Sequence, residues 1–503
     1  MTVKVYDWIK HHARRVPDQT ASVDLHSGRH FSYVEMDRRV DQCAGMLAEL
    51  GVGRGDRCAV LLPNTSDFFE VQFACARLGA IFVPLNWRLT VPELTYIVGD
   101  AGAKVLIHDA DFAETAEALQ EPCEITHLVE TSAEGANNAY EYGLAAASPP
   151  PPPPDLTHDD TWTIMYTSGT TGHPKGAIIT HGMTFWNAIN LGGPHLVGPQ
   201  SKLLNVLPLF HTGGLNCYCN PVFHAGGTVE VVRDFEPGAA LKLLGDPERG
   251  YTHFFGIPAH YLFMSQHPDF DSTDFGHVQV AGIGGAPSSL PLLETWAARG
   301  LSLAQGFGMT ETSPAVTALD APMALAKAGS VGLPVLHTQV RLVAEDGSDI
   351  TEPDTIGELW AKGPNITPGY WNKPEATAET ITDGWLHTGD AARFDEDGYY
   401  YIVDRWKDMY ISGGENVYPA EVENVIYQLP HVAEVAIIGV PDERWGEVGC
   451  AVVAVKPGQL LEETDVLRHC QDKLARYKQP KSVRFVDALP RNATGKVLKR
   501  ELR

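Results

Sequence analysis

Two rhythms of apolar positions alternate along the first 145 residues. From Phe31 to Leu50 apolar side chains recur at helical spacing and stop at Gly51, which predicts an amphipathic helix with a glycine terminator. Cys58-Ala-Val-Leu-Leu-Pro63 is a short continuous apolar run and predicts a buried strand. A helical pattern returns from Phe68 to Leu78, and Ile81-Phe-Val-Pro-Leu85 predicts the next strand. Strands separated by helices need crossover connections, so this region predicts parallel α/β architecture. Pro149 to Pro154 is an unbroken proline run, which breaks both rhythms and predicts an extended surface linker.

Past the linker, Thr161-Trp-Thr-Ile-Met-Tyr166 predicts a strand, and strand-like runs recur at Leu203 to Leu207, Thr228 to Val232 and Val278 to Ile283. Between Val331 and Val403 the pattern shortens to small strands with Gly and Pro turns, as in Val340-Arg-Leu-Val343 and Gly398 to Val403. That shift predicts a β-barrel-like subdomain. Alternation then resumes, with helix near Glu421 to Leu429, strand at Val435 to Val440 and helix near Thr464 to Ala475. The expected division is a large domain over 1–404, a small α+β domain over 408–503, and a junction at 404–408.

Composition changes this picture little. A chain of 503 residues exceeds what one core holds, and 44% hydrophobic with 20% charged residues is a globular balance. A net charge of −25 argues against nucleic acid and against anionic membrane surfaces as partners. There is no run of 18 apolar residues for a transmembrane segment, and the opening residues lack the order of a signal peptide, so a cytoplasmic location is expected. The 8 cysteines are scattered and read as free thiols. From Leu474 onward nine basic residues face two acidic ones. Such a stretch is either a solvated basic tail or a segment that meets a polyanion.

The most informative segment is Tyr166-Thr-Ser-Gly-Thr-Thr-Gly-His-Pro-Lys-Gly176, directly after the Thr161 strand. Glycines let backbone N–H groups approach an anion, hydroxyls add donors, and Lys175 adds a cation. The spacing does not fit a Walker A loop. This word resembles the AMP-binding signature of the adenylate-forming superfamily, which contains acyl- and aryl-CoA synthetases, peptide-synthetase adenylation domains and luciferases. Further similar words follow in order: Pro208-Leu-Phe-His211, Gly284-Gly-Ala-Pro287, Gln305 to Thr312, Gly369-Tyr-Trp371, Thr388-Gly-Asp390, Asp404 to Asp408, Gly413-Gly-Glu-Asn416 and Pro490 to Lys496. The wording is most similar to bacterial fatty-acyl-CoA and hydroxycinnamoyl-CoA synthetases.

The resemblance implies roles. Thr167, Ser168, Gly169, Thr170, Thr171, Gly172 and Lys175 would hold the β- and γ-phosphates of ATP. Gly284, Gly285, Ala286, Pro287, Gly308 and Met309 would form the adenine side, Thr310 would sit near the α-phosphate, and Glu311 would hold Mg²⁺. Asp390 has two oxygens for two ribose hydroxyls, and Arg405 would contact ribose or phosphate. Lys496 would reach the reacting carboxylate and α-phosphate. Lys407 would be the hinge of a mobile C-terminal lid that presents Gly413 and Gly414 to coenzyme A in the second step. Trp445 would touch coenzyme A or pack within the lid. His211 would line the acyl channel, the alternative being a packed histidine without catalytic duty. Phe255, Gly306, Ser313 and Pro314 would wall that channel with no charge.

The expected activity is therefore ATP-dependent ligation of a small carboxylic acid to coenzyme A, in two steps through an acyl-adenylate. The uncharged wall points to a monocarboxylic acid with an apolar body. A medium- or long-chain fatty acid is favoured as the commoner class, with a hydroxycinnamate-type acid as the alternative. Competing readings are a stand-alone adenylation enzyme that loads a carrier protein and a nucleotide sensor without catalysis. A homodimer is compatible with all of them.

Overall fold

The computed structural model describes the chain apart from residues 1–2, 133–136, 168–173, 287, 407, 413–414, 443, 472, 475 and 492–496, and the side chains of residues 405, 415 and 416. The chain forms two compact units. The first comprises Met1–Val340 and Ala361–Leu386, the second Arg341–Trp360 and His387–Arg503.

Two large sheets organise the first unit. One runs in the spatial order His127–Thr131, Val105–Asp109, Arg57–Leu61, Ile81–Pro84, Thr161–Thr167, Lys175–Thr180. Its pairs are parallel except the last, an antiparallel hairpin. The other has nine strands, with Leu303–Gly308, Val280–Ile283, His253–Gly256, Lys202–Asn205, Thr228–Val231 and Thr20–Asp24 as a parallel centre. The expected parallel α/β architecture is thus present, and the Leu303–Gly308 strand, which the apolar pattern does not announce, is third from one edge of the nine-stranded sheet.

Local chemistry explains the helices. Tyr33–Glu49 starts at a capping box: Glu35 N–H donates to Ser32 Oγ at 3.4 Å, and Ser32 N–H donates to Glu35 at 2.8 Å. The helix Ser66–Leu78 is buried on nearly every side, including Asp67 and Glu70. A helix with no wet face can carry such charges only if they are paired. Arg29 meets Asp67 at 2.9 Å, and Arg39 meets both Glu70 and Glu141 at 2.6 Å. The proline segment is irregular and largely exposed. All eight cysteines are free and buried. Among the described residues no helix is long and apolar enough to cross a membrane.

The second unit contains a sheet ordered Glu415–Val417, Tyr410–Ser412, Gly446–Val455, Val432–Asp442, with Ser482–Val486 pairing parallel to Gly446–Val455. Its helices Pro419–Ile426 and Glu463–Gln471 bury Val422, Ile426, Val466 and Cys470. The antiparallel pair Trp385–Phe394 and Tyr400–Arg405 places Arg405 opposite Asp390.

Three enclosed imidazoles make the fold acid-sensitive. Burial lowers His181 to about 3, and His195 and His224 to about 4. Each is neutral in the fold and binds its proton more readily once unfolded. Stability is therefore intact above the ordinary pKa of 6.5 and is lost as pH falls toward about 4. Each group contributes up to about 1.4 kcal/mol per pH unit in that window. His181 stacks on Trp162 at 4.9 Å, so His181→Phe keeps a ring there. Thermal midpoints from pH 7 to 4.5 should fall less steeply in this variant; an unchanged slope would show that His181 does not contribute.

Candidate active site

The signature hairpin frames the first part of the site. Strands Thr161–Thr167 and Lys175–Thr180 pair so that Thr167 faces Lys175 across the base of the loop, and Thr167 Oγ1 donates to the Lys175 carbonyl at 3.4 Å. Ser168, Gly169, Thr170, Thr171 and Gly172 lie outside the described residues. Tyr166, next to Thr167, donates to Asp100 at 2.7 Å, and Lys373 meets the same carboxylate at 3.0 Å.

Lys175 does not stand alone. Its Nζ lies 5.1 Å from the Tyr370 ring centroid, and the Tyr370 hydroxyl donates to Glu311 Oε1 at 2.8 Å. Burial first, and then the Glu311 charge, push the Tyr370 pKa well above the ordinary phenol value, so it remains a donor at neutral pH. The structure thus brings together two residues assigned from sequence, Lys175 and Glu311, through a third that sequence left without a role. Its signal was present in the Gly369-Tyr-Trp word.

Glu311 belongs to the turn Thr310–Thr312 that follows the Leu303–Gly308 strand. Thr310 and Glu311 are buried, at 6% and 5% exposure. Thr367 N–H donates to the Glu311 carbonyl at 2.8 Å, and Asn365 donates to the carbonyls of Thr312 at 3.2 Å and Ala315 at 2.8 Å. Met309 N–H donates to Thr312 Oγ1 at 2.9 Å. A Cβ on Gly308 would lie 1.7 Å from the Pro314 carbonyl oxygen, so only glycine lets the turn close this tightly. A buried carboxylate oxygen is a hard donor of the kind Mg²⁺ takes, alongside phosphate oxygens, so Glu311 fits the metal role.

The residues that the resemblance assigns to an acyl channel also converge. Phe255 lies over Gly284: a Cβ there would be 3.2 Å from Phe255 Cζ and 3.6 Å from the Gly306 carbonyl. A Cβ on Gly213 would fall 3.9 Å from Phe255 Cε1 and 3.7 Å from His211 Nδ1. His211, Phe255, Gly284 and Gly306 are therefore contiguous. Past Gly284, Gly285 and Ala286 are exposed, Gly285 at φ +80°, and Pro287 lies outside the described residues. His211 is exposed, and desolvation by the protein around it lowers its pKa below 6.5. Ser313 is fully buried, its hydroxyl accepting from Asn216 at 3.4 Å, and Pro314 is half-buried. Sequence reasoning missed Tyr218. It lies on a π-helical turn, Leu215–Cys219, and its ring packs edge-on against Phe255 at 5.5 Å. A Cβ on Gly282 would be 2.6 Å from the Tyr218 hydroxyl and 2.7 Å from Phe255, so these three residues are tightly packed.

In the second unit Asp390 is 5% exposed, and its N–H donates to Thr388 Oγ1 at 3.2 Å. The turn before it is held by Glu358, which accepts from Gly389 N–H at 3.0 Å. Asp404 accepts from Ala420 N–H at 2.6 Å at the start of helix Pro419–Ile426, a cap that no local sequence signal announces. Trp445 sits exposed at the turn between Val432–Asp442 and Gly446–Val455, with the Arg444 guanidinium 4.9 Å from its ring centroid. Lys407, Gly413, Gly414 and Lys496 lie outside the described residues, as does the Arg405 side chain.

The family model for AMP-binding enzymes matches residues 9–371, and that for the AMP-binding enzyme C-terminal domain matches 421–496. A feruloyl-CoA synthase of Amycolatopsis is 44% identical, over 99% of this chain and 98% of its own. A long-chain-fatty-acid–CoA ligase of Mycobacterium tuberculosis is 38% identical, over 97% and 95%. The o-succinylbenzoate CoA synthetase of Bacillus subtilis, solved with its acyl-adenylate intermediate, superposes with a TM-score of 0.89 at 29% identity, over 100% and 98% of the two chains. The chain belongs to the AMP-binding enzyme family. Within it, the chain is an acid–thiol ligase of the AMP-forming kind.

Proposed function

We propose that the protein ligates an arylpropenoic acid of the hydroxycinnamate type to coenzyme A. The observation that carries this reading is the contiguous, uncharged set of His211, Phe255, Gly284 and Gly306, with Tyr218 packed edge-on behind Phe255. Phe255 lies against the Gly284 backbone, and Tyr218 with Phe255 fills the space over Gly282. A planar conjugated acid suits a wall of aromatic faces and bare backbone, on which its ring can stack. An uncharged wall also disfavours a second carboxylate, which would be buried without a partner. The 44% identity to a feruloyl-CoA synthase, against 38% to a fatty-acid ligase, supports the same choice over the fatty acid favoured from sequence.

In the first step the acid's carboxylate attacks the α-phosphorus of ATP, forming the acyl-adenylate as the bond to pyrophosphate breaks and pyrophosphate leaves, so two anions must be brought together. Lys175 with the hairpin loop holds the β- and γ-phosphates, Thr310 lies by the α-phosphate, and Asp390 with Arg405 takes the ribose. Mg²⁺ held by Glu311 would spread phosphate charge as a Lewis acid. Lys496 stabilises charge on the reacting oxygens. Neutral His211 lines the acid without adding a charge. In the second step the lid, hinged at Lys407, brings Gly413, Gly414 and Trp445 to coenzyme A, whose thiol displaces AMP.

Measured as kcat/KM for coenzyme A-dependent AMP release, ferulate, 4-coumarate and cinnamate should exceed octanoate and palmitate. A preference for palmitate would overturn the aromatic reading. Gly306→Trp should put a large ring at the proposed acyl wall and cut aryl-acid turnover by roughly a hundredfold, about 2.7 kcal/mol, while sparing acetate and propionate. An unchanged acid profile would remove Gly306 from the wall.

Lys496→Ala should stop adenylation while thioester formation from supplied acyl-adenylate persists. Unit charges 4 Å apart interact by about 4 kcal/mol at an effective dielectric of 20, so the loss is roughly a thousandfold. Equal loss in both half-reactions would contradict the assignment. Lys407→Pro fixes φ at the hinge and should cripple one half-reaction only. Turnover near wild type would move the hinge elsewhere.

A further inference from the structure

Tyr370 is anchored before it does anything chemical. Its N–H donates to Thr377 Oγ1 at 2.9 Å, and it forms a bridge to Ala177. On either side, Ile178 N–H donates to the Gly369 carbonyl at 3.1 Å and Trp371 N–H to the Gly176 carbonyl at 2.8 Å. The backbone therefore leaves the ring little choice of direction. One face takes the Lys175 ammonium at 5.1 Å, and the hydroxyl reaches Glu311 Oε1 at 2.8 Å. A purely structural tyrosine would not need to touch both of the charged groups assigned to the nucleotide.

We propose that Tyr370 is a positioning residue for the metal–nucleotide complex: its hydroxyl fixes the rotamer of Glu311, and its ring holds Lys175 over the phosphates. The hydroxyl–carboxylate bond is charge-assisted and directional, so it orients one carboxylate oxygen and thereby sets where the other lone pairs point. The ammonium lies within the range of a cation–π contact, which restrains a long flexible side chain. The inference rests on Glu311 as the metal-holding residue.

Tyr370→Phe keeps the ring and removes only the hydroxyl. It should raise the Mg²⁺ concentration for half-maximal pyrophosphate release by roughly tenfold, the usual scale for losing an outer partner of a metal ligand. Thioester formation from supplied acyl-adenylate should stay within about twofold. Calorimetric binding of the β,γ-methylene analogue of ATP with Mn²⁺ should weaken in parallel, a readout that needs no turnover. Tyr370→Leu should add a rise in KM for ATP, because Lys175 then loses its platform. Glu311→Gln serves as the reference. If it leaves the metal dependence unchanged, the Glu311 reading itself falls. If Glu311→Gln shifts the dependence and Tyr370→Phe does not, the positioning role is wrong. Equal loss in both half-reactions, or loss of the folded protein on so conservative a change, would make Tyr370 structural and overturn the proposal.

Discussion

A carboxylate buried to 5% exposure at Glu311 is the constraint on which the active face of the first unit depends. Removing such a charge from water costs several kcal/mol unless hydrogen bonds replace the lost hydration. The Tyr370 hydroxyl donates to the carboxylate itself, and further bonds hold the backbone of the turn that carries it. Residues 365–371 supply Thr367 N–H to the Glu311 carbonyl and Tyr370 to its carboxylate. The same segment is tied to the signature hairpin, where Thr367 Oγ1 donates to the Ile178 carbonyl at 2.7 Å. Asn365, itself accepting from Thr338 at 2.7 Å, closes the ring by donating to Thr312 and Ala315. Residues as far as 189 positions apart in the chain are thereby parts of a single hydrogen-bonded object.

The proposed acyl side uses the opposite device, the omission of side-chain atoms. Parallel pairing sets Ile283 beside Gln305, so Gly284, just past its strand, comes to lie near Gly306. On the proposed reading, selectivity would follow from what borders these glycines: an aromatic ring at Phe255, an uncharged imidazole at His211, and Tyr218 behind Phe255. None of these groups can compensate a second charge, so a second carboxylate would be disfavoured there.

Much of the local structure was legible from pattern. The capped helix at Tyr33–Glu49, the buried strands Arg57–Leu61 and Ile81–Pro84, and the helix Pro419–Ile426 follow from periodicity and end signals that are local in sequence. Sheet order was not legible, because the neighbour of a strand is decided by long-range packing and not by its own residues. The same limit explains the site. Glu311 and Lys175 stand inside distinctive words, but the bond from Tyr370 exists only after the chain has folded back on itself. Ser313, assigned to the channel wall through the resemblance, sits in a left-handed turn at φ +61°, where its hydroxyl accepts from Asn216, a contact its sequence neighbours do not announce. Tyr218 was invisible for a different reason, since a π turn displaces it from the face that a regular helix would give it.

Net charge was the least informative quantity, and the reason is physical. A chain with an excess of 25 negative charges that binds a triphosphate looks self-defeating. Screening removes most of the conflict, because exposed charges beyond about 8 Å contribute little at physiological ionic strength. What remains is local and sharper: a buried glutamate sits one tyrosine away from the lysine at the base of the phosphate hairpin. A carboxylate facing phosphate oxygens at short range is repulsive in a medium of low dielectric, and one lysine cannot neutralise both. With Glu311 in its proposed role, a divalent cation would relieve that repulsion. The acidic residue that looks misplaced beside a polyanion would then make nucleotide binding conditional on metal, and its burial would keep out the water that otherwise blunts the condition.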